Sequence, residues 1–189
     1  RPRFGDFLYN PAELEEMSEE IEAFRELGAD GVVIGILTPS GELNAEQMAR
    51  LMEKARGIDV TIHRAFDMTH DPFAALETAV QLGCTTILTS GQAPSAPAGR
   101  ELLRELFLRA DGRIDLMAGA GVKQGTIQEL AAYTGIRVFH TSARTGPVDS
   151  GMTYRKETVS MGLPSLSEYE LWRTDEEEFR ACAELVHAL

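Results

Sequence analysis

The ten residues Leu82-Gly83-Cys84-Thr85-Thr86-Ile87-Leu88-Thr89-Ser90-Gly91 carry a helix end, a strand and a polar turn in one short stretch. Leu82-Gly83 closes a segment of helical period, with glycine where a helix ends in a left-handed cap. Thr85 to Leu88 is a β-branched and apolar run, and Thr89-Ser90-Gly91 stops it abruptly. Similar runs recur at Gly31 to Leu37, ending at Thr38, and at Val60 to Ile62, ending at His63-Arg64. They recur again at Ile114 to Met117, ending at Gly119-Ala120-Gly121, and at Val138-Phe139, ending at His140-Thr141-Ser142. Two other helix-to-strand junctions repeat the glycine, Leu27-Gly28-Ala29-Asp30 and Thr134-Gly135.

Strands that alternate with helices predict a parallel sheet, because a parallel neighbour is reached through a crossover of a dozen or more residues. The strand starts are spaced by roughly 23 to 30 residues, about one strand-plus-helix unit. This self-similarity favours an α/β fold of the TIM-type, a (β/α)8 barrel, over a doubly wound sheet. Such a barrel usually needs about 250 residues, and the chain has 189. Arg1 to Phe7 reads as the tail of a further strand, so the expectation is a single barrel domain over 1–189 that lacks its first two strand-helix units. The segment 145–163, with Gly146-Pro147 and then Gly162-Leu163-Pro164 at its end, is expected to be an irregular loop before a final helix, Asp175 to Leu189.

Composition narrows the function classes. A hydrophobic fraction of 43% and a charged fraction of 25% are those of an ordinary globular domain. A formal net charge of -12 argues against nucleic acid as a partner, since phosphate backbones are bound through Lys and Arg. No apolar stretch approaches the roughly 18 residues of a membrane span, and nothing at the N-terminus resembles a signal peptide, so the chain reads as cytoplasmic and without a membrane partner. Cys84 and Cys182 have no CxxC or Cys/His spacing around them and read as buried thiols. The acidic runs Glu13 to Glu22 and Asp175 to Glu178 read as solvated helix faces and first turns.

In a barrel the chemistry gathers at the carboxyl ends of the strands. Arg3 and Asp6 would stand after the first visible strand, with Gly5 between them. His63, Arg64 and Asp67 form the densest polar cluster, and an imidazole there could act as general base, hydrogen-bond donor or metal ligand. The structural alternative makes His63 a core histidine and pairs Arg64 with Asp67. Ser90 lacks a nucleophile-elbow context and reads, with Gly91, as a ligand-facing turn. Gly119 and Gly121 would let backbone N–H groups approach an anion ahead of a helix N-terminus. His140, Ser142 and Arg144 would add an imidazole, a hydroxyl and a guanidinium to the same place.

Taken in order, Arg1-Pro2-Arg3 with Gly5-Asp6-Phe7, Gly28-Ala29-Asp30-Gly31-Val32-Val33, His63-Arg64-Ala65-Phe66-Asp67, Leu88-Thr89-Ser90-Gly91 and His140-Thr141-Ser142-Ala143-Arg144 resemble the CutC copper-homeostasis family. The likeness covers essentially the whole chain. It implies a cytoplasmic (β/α)8 barrel, often a homo-oligomer, associated with copper tolerance and with binding of Cu(I). It also implies that the cysteines most often proposed as copper ligands belong to the two units absent here, and neither Cys84 nor Cys182 matches them. Two functions therefore stand. One is a copper-binding or copper-handling protein. The other is an enzyme acting on a small anionic or phosphorylated compound, with Arg3, Arg64 or Arg144 and the glycine turn holding the anion and His63 or His140 moving a proton.

Overall fold

A computed structural model describes residues 1–156, 158–159 and 167–189. Its first helix, α1 (Pro11–Glu26), starts where Asn10 accepts from the Ala12 and Glu13 N–H groups while Glu13 reaches back to the Asn10 N–H. Proline at the first helical position removes an N–H that would have no partner there. There follow β1 (Gly31–Ile34), α2 (Ala45–Lys54) and β2 (Asp59–Ile62). A short 3-10 turn, Arg64–Met68, leads to α3 (Pro72–Leu82), β3 (Thr86–Thr89), α4 (Arg100–Ala110), β4 (Asp115–Gly119), α5 (Gln124–Thr134) and β5 (Val138–His140). Gly28, Gly83 and Gly135 all adopt positive φ, +84°, +79° and +86°, at the helix ends where the sequence placed them.

The five strands are all parallel, and their order in the sheet is their order in the chain, β1-β2-β3-β4-β5. A doubly wound sheet reverses its order at a switch point; this one does not. Each helix packs on the next, from α1 to α5. Ile34, Ile62, Ile87 and Leu116 align in one row across four strands and are all buried. They join Met48, Leu51, Leu76, Leu103, Leu106 and Ile127, each fully buried on the helices. Each such side chain contributes about 1.5–3 kcal/mol by leaving water. Among the described residues the sheet is open, with β1 and β5 at its edges.

Two expectations change. Residues 1–7 form no strand. Gly5 takes φ +101°, and the Arg1 and Arg3 side chains bind the carbonyls of Arg3, Gly5 and Leu8, which fold the segment onto itself. A backbone bond ties it to the sheet region, from Leu37 N–H to Phe7 O at 2.9 Å. The segment 145–163 is not wholly irregular: Pro147–Asp149 forms β6, antiparallel to β7 (Glu170–Trp172). Gly162-Leu163-Pro164 lies outside the described residues. The chain ends in α6 (Glu176–His187), capped by Asp175. No helix among the described residues is long and apolar enough to cross a membrane.

Candidate functional site

His63 follows β2 directly and caps the 3-10 turn, its Nδ1 accepting from the Ala65 N–H at 3.1 Å. An accepting Nδ1 leaves the neutral ring's proton on Nε2, which is buried and has no partner among the described residues. Burial holds the imidazole down at about 4, and the nearby Arg1 charge acts in the same direction. A Cβ at Gly35 would stand 2.7 Å from the ring, so glycine is required beneath it. The Phe7 ring covers it at 5.0 Å. His63 is thus a neutral, packed histidine.

Arg64 turns the other way. Its Nε donates to Asp67 Oδ2 at 2.7 Å and its Nη2 to Ser90 Oγ at 2.9 Å. Asp67 is only 6% exposed in its side chain. It accepts from Thr89 Oγ1 at 2.6 Å, from the Ser90 N–H at 3.1 Å and from the Gln92 N–H at 3.2 Å. The carboxylate thus fastens the turn after β3 to the turn after β2, and it has little capacity left to act as a base. Ser90 was expected to face a ligand. It is instead fully buried, its hydroxyl engaged by Arg64, Asp67 and the Ala93 carbonyl. Gly91 is buried too, with its Cα so close to Gly99 that a Cβ would meet the Gly99 carbonyl at 2.3 Å. These residues orient Arg64, whose Nη1 makes no hydrogen bond among the described residues.

After β4, Ala120 and Gly121 both take positive φ, +73° and +69°. Gly119 lies beneath, where a Cβ would strike Leu88 Cδ1 at 2.5 Å. The Gly121 and Val122 N–H groups make no hydrogen bond among the described residues. The expected anion seat at the following helix end, however, is already filled. The Gln124 N–H donates to Glu178 Oε1 at 2.8 Å and the Gln124 side-chain amide to Oε2 at 3.0 Å. After β5, Thr141 fixes the next turn by donating to the Val122 carbonyl at 2.8 Å and accepting from the Ala143 N–H at 2.9 Å.

These loops enclose a pocket of about 270 Å³ at the carboxyl ends of the strands. Arg64 enters it from β2, Gly121 and Lys123 from β4, and His140, Ser142 and Arg144 from β5, with Leu88 and Val122 as apolar wall. No carboxylate lines it among the described residues. Lys123 and Arg144 have no ion-pair partner among the described residues, so their charges are uncompensated at short range. Of the residues singled out in the sequence, the pocket unites Arg64, Gly121, His140, Ser142 and Arg144, with Gly119 below. His63, Asp67, Ser90 and Gly91 stand behind the wall, and Arg3 and Asp6 lie outside it. Lys123 is the lining charge that sequence reasoning passed over; its signal was a basic residue two positions past Gly121, at the start of a helix.

Metal donors do not gather in the same way. Among the described residues no group of three or more His, Cys, Asp or Glu could hold a metal ion. Cys84 precedes β3, at the opposite end of the strand from the pocket, and burial pushes its thiol up to about 11. Cys182 is buried in α6 beside Glu178.

Residues 1–145 match the model of the CutC family. A CutC family protein of Bacteroides fragilis is 52% identical over 171 residues, 90% of this chain and 68% of its own length. A relative of the same family from Parabacteroides distasonis is 50% identical over 182 residues, 96% of this chain and 74% of its own length. Among solved structures, the CutC protein of Streptococcus agalactiae, named for copper homeostasis, is similar with a TM-score of 0.72 at 33% identity, covering 74% of this chain and 69% of that one. The chain belongs to the CutC family.

Proposed function

We propose that this protein binds a small anionic compound, a phosphorylated metabolite foremost, in the pocket at the carboxyl ends of its strands, with His140 placed to move a proton. The observation that carries the reading is the convergence of Arg64, Lys123 and Arg144, with no lining carboxylate among the described residues, in a chain whose net charge is -12. Cations gathered against that overall charge focus attraction on anions. Unpaired N–H groups at Gly121 and Val122 suit phosphate oxygens. The volume suits a compact ligand, since pockets for drug-sized molecules run from about 300 Å³ upward. The five-strand sheet is read as an arc of a (β/α)8 barrel. Its unreversed strand order supports this, as does the cleft of about 240 Å³ along β1, lined by Phe24, Val32 and Val33, which a further strand-helix unit would fill. The protein is also taken, on the strength of the family resemblance, as a cytoplasmic homo-oligomer.

Copper handling is the second reading, favoured by kinship with a protein named for copper homeostasis. Cu(I) prefers thiolate and thioether ligands; the Cys84 thiol lies 4.0 Å from Met52 Sδ, but at the opposite end of the strands from the pocket, and among the described residues no group of three or more His, Cys, Asp or Glu could hold a metal ion. The copper reading therefore rests on kinship and the anion reading on the pocket. Thermal unfolding with inorganic phosphate, sugar phosphates and dicarboxylates, run beside a Cu(I) titration, separates them. Saturable stabilisation by a phosphorylated compound, about 2.7 kcal/mol at one hundred times its Kd, with none from Cu(I), supports the anion reading. The reverse pattern supports copper.

A further inference from the structure

The first turn of α6 touches both walls of the pocket without lining it. On one side, Glu178 is buried at 6% exposure and holds Gln124 by its main-chain N–H and its side-chain amide, at 2.8 and 3.0 Å, next to the pocket residue Lys123. On the other, the Asp175 N–H donates to the Ala143 carbonyl at 2.9 Å and its carboxylate accepts from Thr145 Oγ1 at 3.1 Å. Thr174 Oγ1 adds a bond to the Ser142 carbonyl at 3.2 Å. Ser142 and Arg144, between these anchors, face the pocket. The Asp175 carboxylate also caps the helix, accepting from the Glu178 main-chain N–H at 3.0 Å, so both anchors belong to one helix turn. From the next helical turn the Cys182 thiol lies 3.5 Å from Glu178 Oε1.

We propose that α6 is a clamp on the pocket, with Glu178 and Asp175 as positioning residues that tie the wall bearing Lys123 and the wall bearing Arg144 to a single helix turn. The proposal deepens the anion reading and rests on it for its consequence, since two cations held at a fixed separation select anions that span them. A plain helix cap would do less: it would order Gln124 and the start of α5 and leave the loop after β5 alone.

The test is amide hydrogen exchange on the full chain without ligand, together with titration of inorganic phosphate. Glu178→Ala leaves the Gln124 main-chain N–H and side-chain amide without their acceptor. Exchange is expected to quicken at Lys123, whose N–H is held by Thr126 Oγ1, and also at Ala143, whose N–H is held by Thr141 Oγ1, with the strands β2 and β3 unchanged and phosphate affinity lowered about 3-fold or more. Asp175→Asn should give the reciprocal result, quickening exchange at Lys123, which it does not touch. The double change Glu178→Gln with Gln124→Glu restores donor facing acceptor and should recover both readouts. Exchange that quickens only at Lys123 to Thr126, or no recovery in the double variant, overturns the clamp. If both walls loosen as expected but wild-type protein shows no phosphate binding, the clamp stands and the anion reading falls.

Discussion

The pattern Arg-x-x-Asp forms an ion pair at Arg3-Asp6 and at Arg64-Asp67, and the chain uses the two in opposite ways. The pairs look alike, with N–O distances of 2.9 and 2.7 Å. At the first, Asp6 is 60% exposed and Arg3 is nearly saturated, donating to Glu13, Asp6 and the carbonyls of Phe4 and Leu8. At the second, Asp67 is 6% exposed and carries donors from three residues of the neighbouring β3 loop, while Arg64 keeps Nη1 for the pocket. Arg3 therefore has little capacity for a ligand, and Arg64 is oriented for one. The aspartate decides the outcome: an exposed carboxylate only pairs, whereas a buried one fastens a second loop and aims its arginine.

The largest effect that could break this contrast is on stability. Asp67→Ala leaves the Thr89 hydroxyl and the Ser90 and Gln92 N–H groups without their acceptor, at a cost of about 3 kcal/mol or more in urea unfolding. Asp6→Ala should leave the urea midpoint unchanged, because an exposed pair is screened by water. Equal destabilisation by the two changes would erase the distinction between the sites.

Next comes pH, at the histidine beside the second pair. The unfolded His63 takes up a proton near the ordinary value of 6.5, whereas the folded ring resists it down to about 4. Its contribution is therefore complete above pH 6.5, shrinks as pH falls, and is gone below about pH 4, on the order of 3 kcal/mol in all. His63→Asn keeps an oxygen to cap Ala65 and cannot titrate. Subtracting its stability curve from that of the wild type should isolate this loss, and parallel curves would show that the imidazole is not buried neutral.

Smaller effects fall on affinity. Arg64→Ala should weaken inorganic phosphate about 10- to 100-fold, the worth of one charged hydrogen-bonding group, and Arg3→Ala should not change it. Arg144→Ala should cost about 3- to 10-fold and lose most of that difference in high salt, as more exposed charges do. Isothermal titration at two ionic strengths checks both.

Much of the fold was legible because its signals are local. Gly28, Gly83 and Gly135 marked helix ends by a conformation that other residues rarely adopt, and the β-branched runs after them marked strands. The loop residues were harder. Ser90 and Gly91 looked like ligand contacts, but the choice between facing a ligand and bracing Arg64 depends on Asp67, 23 residues earlier, and on Gly99 behind. The seat at the α5 N-terminus was taken by Glu178, 54 residues away, which no local pattern announces. Arg1 to Phe7 kept the composition of a strand end but lost its carbonyls to its own arginines.

The most direct test of the account is an amide-resolved NMR titration of wild-type protein with inorganic phosphate. Saturable shifts centred on Gly121, Val122, Ser142 and Arg144, with none at Leu8 to Asn10, are the result predicted. Shifts gathered around Arg3 and Glu13, or no saturable shift anywhere, would contradict it.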